Sequence, residues 1–280
     1  MRGRAALLVL LAGCAGAEGS RATFLGAYAW QDGREGLGGL SAIELDADGA
    51  GFVALSDRAA LVRGRLLRGE GGAVTGVEAE RRPLLDRGGA PLRGPRADSE
   101  GLALGLDGAL FISFEGSARV RREGARPELL PVHADWADLP RNASLEALAV
   151  DAEGRLLAIP ESPVDGAFPV WRFEDGAWEV AFRFPPRDGF EVTGADVGPD
   201  GRLVVLERAF TGWAFRSRLR RFDLDGTGEE VLLTTPAGAR DNLEGMAVWA
   251  DAGGLRATLI SDDNFRFFQR TEIVDYRLPP

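Results

Sequence analysis

Asp98-Ser99-Glu100-Gly101-Leu102-Ala103-Leu104-Gly105-Leu106-Asp107-Gly108-Ala109-Leu110-Phe111-Ile112-Ser113-Phe114-Glu115 is the stretch from which the fold can be read. An acid is followed by small and apolar residues, then by an Asp-Gly turn seven positions on. An alternating apolar run follows and ends in a second acid. The same arrangement recurs from Ser41 (turn Asp48-Gly49), Glu146 (turn Glu153-Gly154), Thr193 (turn Asp200-Gly201) and Glu244 (turn near Gly253-Gly254). A period of roughly 45 to 60 residues is that of a propeller blade, so the chain reads as an all-β, single-domain β-propeller.

Asp-Gly and Glu-Gly between apolar runs suit the positive φ of tight two-residue hairpin turns. Leu102, Leu104, Leu110 and Ile112 around one turn match Leu148, Val150, Leu156 and Ile159 around the next, as expected of strands buried between sheets. Helical periodicity is hard to find after residue 20, and 38 glycines with 15 prolines disfavour a helical protein. Five copies predict five blades of about 50 residues; six stays open at this stage. A strand at Thr23–Trp30 and about three strands after Glu244 would complete one blade together. That pairing closes the ring and removes free sheet edges.

The N-terminus reads differently. Arg2 and Arg4 precede the apolar run Ala5 to Leu11, which is too short to span a bilayer and has the layout of a secretory leader. Leu11-Ala12-Gly13-Cys14 resembles a bacterial lipobox, and Cys14 is the only cysteine, so no disulfide competes for it. The expected organisation is a lipoprotein signal peptide at 1–13, a lipidated tether at 14–22 and the propeller at 23–280. An ordinary leader cleaved after Ala15 or Ala17 is the alternative. The expected location is the periplasm or cell envelope of a bacterium, with the membrane reached only through the lipid.

All 33 basic residues are arginine, against 43 Asp and Glu, for a formal charge of −10. A surface of that sign repels nucleic acid, which is excluded as a partner. A monomer acting on a small anionic ester or phosphoester is expected instead.

In a propeller the first strand of each blade lines the central channel, so one register position from every copy converges on one mouth. That set is Ser41, Glu100, Glu146, Thr193 and Glu244, flanked by Asp98, Asn142, Asn242 and Asp196. A second acidic set ends the following strand at Asp57, Glu115, Glu161, Glu207 and Asp262 with Asp263. Carboxylates gathered in a channel repel one another unless a cation neutralises them or some are protonated. With oxygen donors and no Cys or His cluster, Ca²⁺ is the expected ion, on Glu100, Glu146, Glu244, Asp57 and Asp262. Such acids also serve as turn caps or as bonds to a neighbouring blade.

The segments around Ser41 and Asp57-Arg58, Asp98 to Ala103, Ser144 to Leu148, Leu206-Glu207-Arg208, and Asn242 to Met246 with Ser261 to Phe265 resemble the "esterase-like activity of phytase" family, a set of secreted bacterial proteins. The resemblance runs from about residue 24 to the C-terminus and implies ester or phosphoester hydrolysis. No Gly-x-Ser-x-Gly elbow and no Arg-His-Gly signature occurs. The single histidine, His133, lies between repeats and reads as an edge residue. A hydrolase of this composition works by carboxylates and a metal. Glu100, Glu146, Glu244 and Asp196 are then the candidate catalytic acids, and Arg58, Arg208, Asn242 and Asn264 the candidate substrate contacts. The alternative is a non-catalytic, calcium-stabilised propeller that binds a ligand or partner through the same mouth.

Overall fold

The computed structural model describes residues 20–31, 38–266 and 268–280. The leader and Cys14 lie outside them. Strand β1 (Thr23–Ala29) stands apart in sequence from its sheet. The first blade is β2 (Leu40–Leu45), β3 (Gly51–Ser56), β4 (Ala60–Arg68) and β5 (Val74–Pro83), and the second is β6 (Ser99–Leu104), β7 (Leu110–Phe114), β8 (Arg119–Arg122) and β9 (Glu128–Leu129). The third is β10 (Leu145–Val150), β11 (Leu156–Pro160), β12 (Phe168–Glu174) and β13 (Ala177–Phe184), and the fourth is β14 (Glu191–Val197), β15 (Leu203–Phe210), β16 (Phe215–Phe222) and β17 (Glu230–Thr234). The fifth contains β18 (Asn242–Asp251), β19 (Gly254–Asp262) and β20 (Glu272–Arg277), and β1 is its outermost strand.

The chain is therefore a five-bladed propeller. Its ring closes as the sequence predicts: β1 runs antiparallel to β20, with Thr23 opposite Arg277 and Ala29 opposite Glu272. Pairing residues from the two ends of the domain leaves the fifth sheet without a vacant position.

The core is divided among the blade interfaces. Phe168, Phe184, Val205 and Phe222 pack the third blade on the fourth, and Leu206, Leu219, Met246 and Leu259 pack the fourth on the fifth. Trp30, Ile43, Ile260 and Ile273 join the fifth blade to the first. Leu55 with Ile112, and Val120 with Trp171, lie at the remaining two contacts. Each sheet is covered on both faces, which explains the near-continuous apolar runs of the inner strands.

The turns correct one expectation. Four of the five repeated turns are not two-residue loops: the amides of Gly49, Gly108, Gly154 and Gly201 donate to carbonyls three residues earlier, at Asp46, Gly105, Asp151 and Gly198. Only the glycine needs positive φ, between 66° and 81° in these four. The preceding Asp instead accepts an amide two residues on, as Asp48 does from Ala50 at 2.8 Å and Asp107 from Ala109 at 3.0 Å. The fifth turn is the two-residue Ala252-Gly253, between Asp251 and Gly254.

Candidate functional site

Every inner strand breaks register at the repeated site position. Leu40 pairs with Ser56 and Ala42 with Leu55, which leaves Ser41 as an extra residue. The same break falls on Glu146, Thr193 and Glu244, and on Glu100 with Gly101. A β-bulge re-aims the side chain at the inserted residue, and five bulges at one level build the inner tier of the mouth. The residue after the bulge must be small, because neighbouring inner strands meet there. A Cβ on Gly101 would lie 2.8 Å from the Glu146 carbonyl oxygen, one on Gly194 2.6 Å from that of Glu244, and one on Gly245 2.7 Å from Ala42 Cα.

The two hydroxyl members of this tier are braces. Ser41 Oγ donates to the Ser99 carbonyl at 3.1 Å and Thr193 Oγ1 to that of Leu243 at 3.3 Å. The three glutamates are left facing one another.

An outer tier comes from the ends of the second strands, and here the sequence alignment needs a correction. The amides of Asp57, Glu115 and Glu161 donate to Gly39, Asp98 and Ser144, each two residues before the bulge position. Asp262 pairs with Asn242 in the same way. In the fourth blade the residue opposite Glu191 is Arg208, not Glu207. Neighbours on a strand face opposite ways, so Arg208 enters the mouth and Glu207 turns into the blade. There Glu207 is fully buried between Arg218 (2.7 Å) and Arg220 (2.9 Å).

The outer tier thus holds four acids and one arginine above three glutamates. Arg208 binds Glu161 at 3.0 Å, Asn242 Oδ1 at 2.9 Å, and Glu244. Asn242 donates its own amide to Glu244 at 2.7 Å. Two of the four expected substrate contacts, Arg208 and Asn242, are therefore engaged in holding Glu244 across three blades. Arg58 differs: it is exposed, and its guanidinium lies 3.4 Å from the centre of the Phe265 ring. Asn264 lines the cleft beside Glu244, and both Asn264 and Phe265 adopt left-handed backbone, φ 47° and 51°. Strain of that kind concentrates at functional sites. Their turn is held by Asp262 and Asp263, which accept the amides of Asn264 and Phe265.

Among the described residues of the two tiers, Arg208 alone does not offset this many carboxyls. Burial, then Glu146 and Glu244, hold Glu100 well above the usual carboxylate range. Glu146 is held there by burial, Glu161 and Glu244. Burial raises Glu115, and in Glu244 it outweighs the pull of Arg208 and Asn242. Burial also pushes Asp57 up to about 6, Glu161 to about 7 and Asp262 to about 8, the last with help from Glu244. Arg208 responds the other way, since Glu244, Glu146 and Glu161 raise it despite the opposing effect of burial.

Asp196 stands apart from this mouth. It lies three residues beyond the bulge, accepts the Val248 amide at 2.6 Å, and faces the buried Glu44, whose own carboxyl it helps to raise. Between the two levels the channel is nearly filled, with a cavity of about 10 Å³. His133 caps the short helical turn Ala134–Asp138 through Nδ1, consistent with an edge role.

Two groups of carboxylates have the spacing of metal ligands: Asp98, Glu100 and Glu115, and Glu115, Glu146 and Glu161. In each, the oxygens lie within 4.8 Å of one another. Oxygens around one Ca²⁺ sit up to about 5.2 Å apart, so either group fits a hard cation. Glu115 belongs to both. Glu244, Asp57 and Asp262 lie outside these triads, and Glu100 and Glu146 fall into different ones. Sequence reasoning placed Asp98 and Glu115 near the mouth without assigning them as ligands.

Fold and site together define a five-bladed propeller with an acid-lined axial mouth. Within that class the chain belongs to the phytase-like family described as "esterase-like activity of phytase", which matches residues 35–265. The chain matches none of the curated proteins by sequence. Among solved structures it is similar to the PQQ-bound aldose sugar dehydrogenase of Streptomyces coelicolor, with 17% identity, TM-score 0.48, and 91% of this chain and 98% of that one covered. A streptogramin B lyase gives 14% identity and TM-score 0.45 over 88% of this chain and 67% of that one. The virginiamycin B lyase of Staphylococcus aureus gives 11% and 0.46 over 86% and 80%. These likenesses carry no argument about function. Among the described residues, no helix is long and apolar enough to cross a membrane.

Proposed function

We propose that this protein is a calcium-dependent hydrolase of esters or phosphoesters, working at the carboxylate mouth. The observation that carries the reading is the two-tier cluster itself, in which, among the described residues, seven buried or half-buried carboxyls meet the half-buried guanidinium of Arg208. Glu115 with Asp98 and Glu100, or with Glu146 and Glu161, would hold the cation. When bound, the ion supplies Lewis-acid polarisation of the ester or phosphoryl oxygen.

The remaining groups have separable roles. Asp57, ionised above about 6, accepts a proton from the attacking water, and Asp262, protonated below about 8, returns one to the leaving oxygen. The water oxygen bonds to phosphorus or to the acyl carbon, and the bond to the leaving oxygen breaks. Exposed Arg58 contacts the anionic group of the substrate. Arg208 and Asn242 hold Glu244 in place. Cys14 would anchor the protein at the cell envelope after removal of the leader.

A second reading has its own support. Arg208 and Asn242 are consumed by internal bonds that cross-link blades, as in a purely structural calcium site of a ligand-binding propeller. A panel of phosphomonoesters, phosphodiesters, carboxyl esters and lactones, assayed with calcium and with EGTA, separates the two. Hydrolysis that EGTA abolishes and Glu115→Gln weakens is expected. Tight calcium binding without turnover of any class would favour the structural reading.

A further inference from the structure

A cleft of about 800 Å³ begins at Glu244 and runs outward between the fourth and fifth blades. One wall is an extension of the fourth blade. Strand β15 continues past the mouth residue Arg208 to Phe210, whereas β7 and β11 end at or before the equivalent residues Glu115 and Glu161. The added hairpin is preorganised: the Thr211 amide and hydroxyl both bond the Ala214 carbonyl at 2.9 Å, and the Gly238 amide bonds that of Phe215 at 2.9 Å. Phe210 and Phe215 pack at 5.1 Å between centroids.

This hairpin presents unusual surface. Trp213 is 77% exposed and Phe210 61% exposed. Among the described residues the Trp213 indole stacks on no other ring. A rigid hairpin that holds an indole in water over a cleft beside the candidate catalytic acids has the form of a stacking platform.

Charge narrows the ligand. Among the described residues four arginines and four carboxylates line the cleft, a balance that gives no net field to gather a polyanion. Most of its cations are engaged. Arg208 is bound to Glu161 and Glu244, Arg240 to the Tyr276 hydroxyl, and Arg270 lies 3.8 Å from Glu272. Arg266 is exposed and, among the described residues, forms no ion pair.

Resting on the hydrolase reading above, we infer that the cleft receives the leaving group of the substrate, and that this group is a flat, largely apolar ring carrying little charge. The substrate class is an aryl ester or aryl phosphomonoester. A densely phosphorylated polyol does not fit a charge-balanced, aromatic cleft. Trp213 and Phe210 stack on the ring and Arg266 offers one anion contact at the cleft.

The test uses the mature propeller loaded with calcium. Binding of 4-nitrophenyl phosphate, glycerol 2-phosphate and inositol hexakisphosphate is measured by calorimetry, and turnover of the same compounds is followed in parallel. The aryl ester is expected to bind at least tenfold more tightly than the other two. Trp213→Ala should weaken it about tenfold, raise KM with kcat nearly unchanged, and leave both calcium affinity and glycerol phosphate binding unaltered. Trp213→Phe should restore most of the affinity. Equal binding of aryl and alkyl phosphates, preference for the hexakisphosphate, or an unchanged Trp213→Ala protein would overturn the inference. Selective aryl binding without turnover would uphold the subsite and reject the hydrolase reading.

Discussion

Raising the pH without calcium should destabilise the fold through its own carboxylate mouth. Asp57, Glu161 and Asp262 are raised to about 6, 7 and 8 in the folded protein, against roughly 4 for an unfolded chain. A group whose folded pKa is raised contributes stability that is fully present below its unfolded pKa and lost as pH climbs through the folded value. The loss here therefore begins above about pH 4 and is complete only beyond about pH 8. Each proton that the native state retains over the unfolded chain costs about 1.4 kcal/mol per pH unit. Because all three groups sense Glu244, and Asp262 also senses Asp57, a net of one retained proton between pH 6 and 7.5 is the conservative figure, or about 2 kcal/mol. For a domain of this size that is roughly 4 to 8 °C in Tm. Differential scanning calorimetry in EGTA at pH 6.0, 6.75 and 7.5 reads the slope directly. Saturating calcium should raise Tm and flatten the slope, since its ligands enter deprotonated. Asp262→Asn should make the EGTA slope shallower. A Tm that is flat with pH in EGTA, or a slope that calcium leaves intact, would refute the reasoning.

Other consequences concern the frame and the anchor. Deleting Thr23–Trp30 removes β1 and exposes the backbone of β20, so the truncated domain should lose cooperative melting and aggregate, while deletion of residues 14–20 should leave Tm unchanged. Glu207→Gln leaves Arg218 and Arg220 short of a buried counter-charge and should cost about 3 kcal/mol in urea denaturation; a loss under about 1 kcal/mol would contradict the buried ion-pair assignment. Cys14→Ser should move the protein from the membrane to the soluble fraction, and mass spectrometry of the native N-terminus should find lipid on Cys14.

The frame was legible because the repeat carries its own alignment. Glycine at each turn and apolar residues on either side fix hairpins, and five copies fix the ring. Closure by Thr23–Trp30 followed from the shortage of strands after Glu244. The mouth was less legible, for a local reason. Adjacent Glu207 and Arg208 both satisfy a pattern of polar residues ending a strand, and only the pairing of Glu191 with Arg208 decides which one faces the axis. Asp196 illustrates the same limit: on the right strand, three residues past a bulge, it belongs to another level of the channel. Asp98 and Glu115 become ligand candidates only when the end of β7 is brought beside the start of β6. The aromatic cleft left no repeat signal at all, since it is made where the fourth blade departs from the pattern.

The central claim is that the carboxylates around Glu115 build a cation site, and calcium titration by isothermal calorimetry tests it most directly. Chelator-stripped protein should bind Ca²⁺ with release of protons. Glu115→Gln should weaken binding at least tenfold, whereas Glu70→Gln, a change on the exposed turn Glu70–Gly72, should leave it unchanged. Absence of calcium binding by the unaltered protein, or equal affinity in Glu115→Gln, would contradict the account.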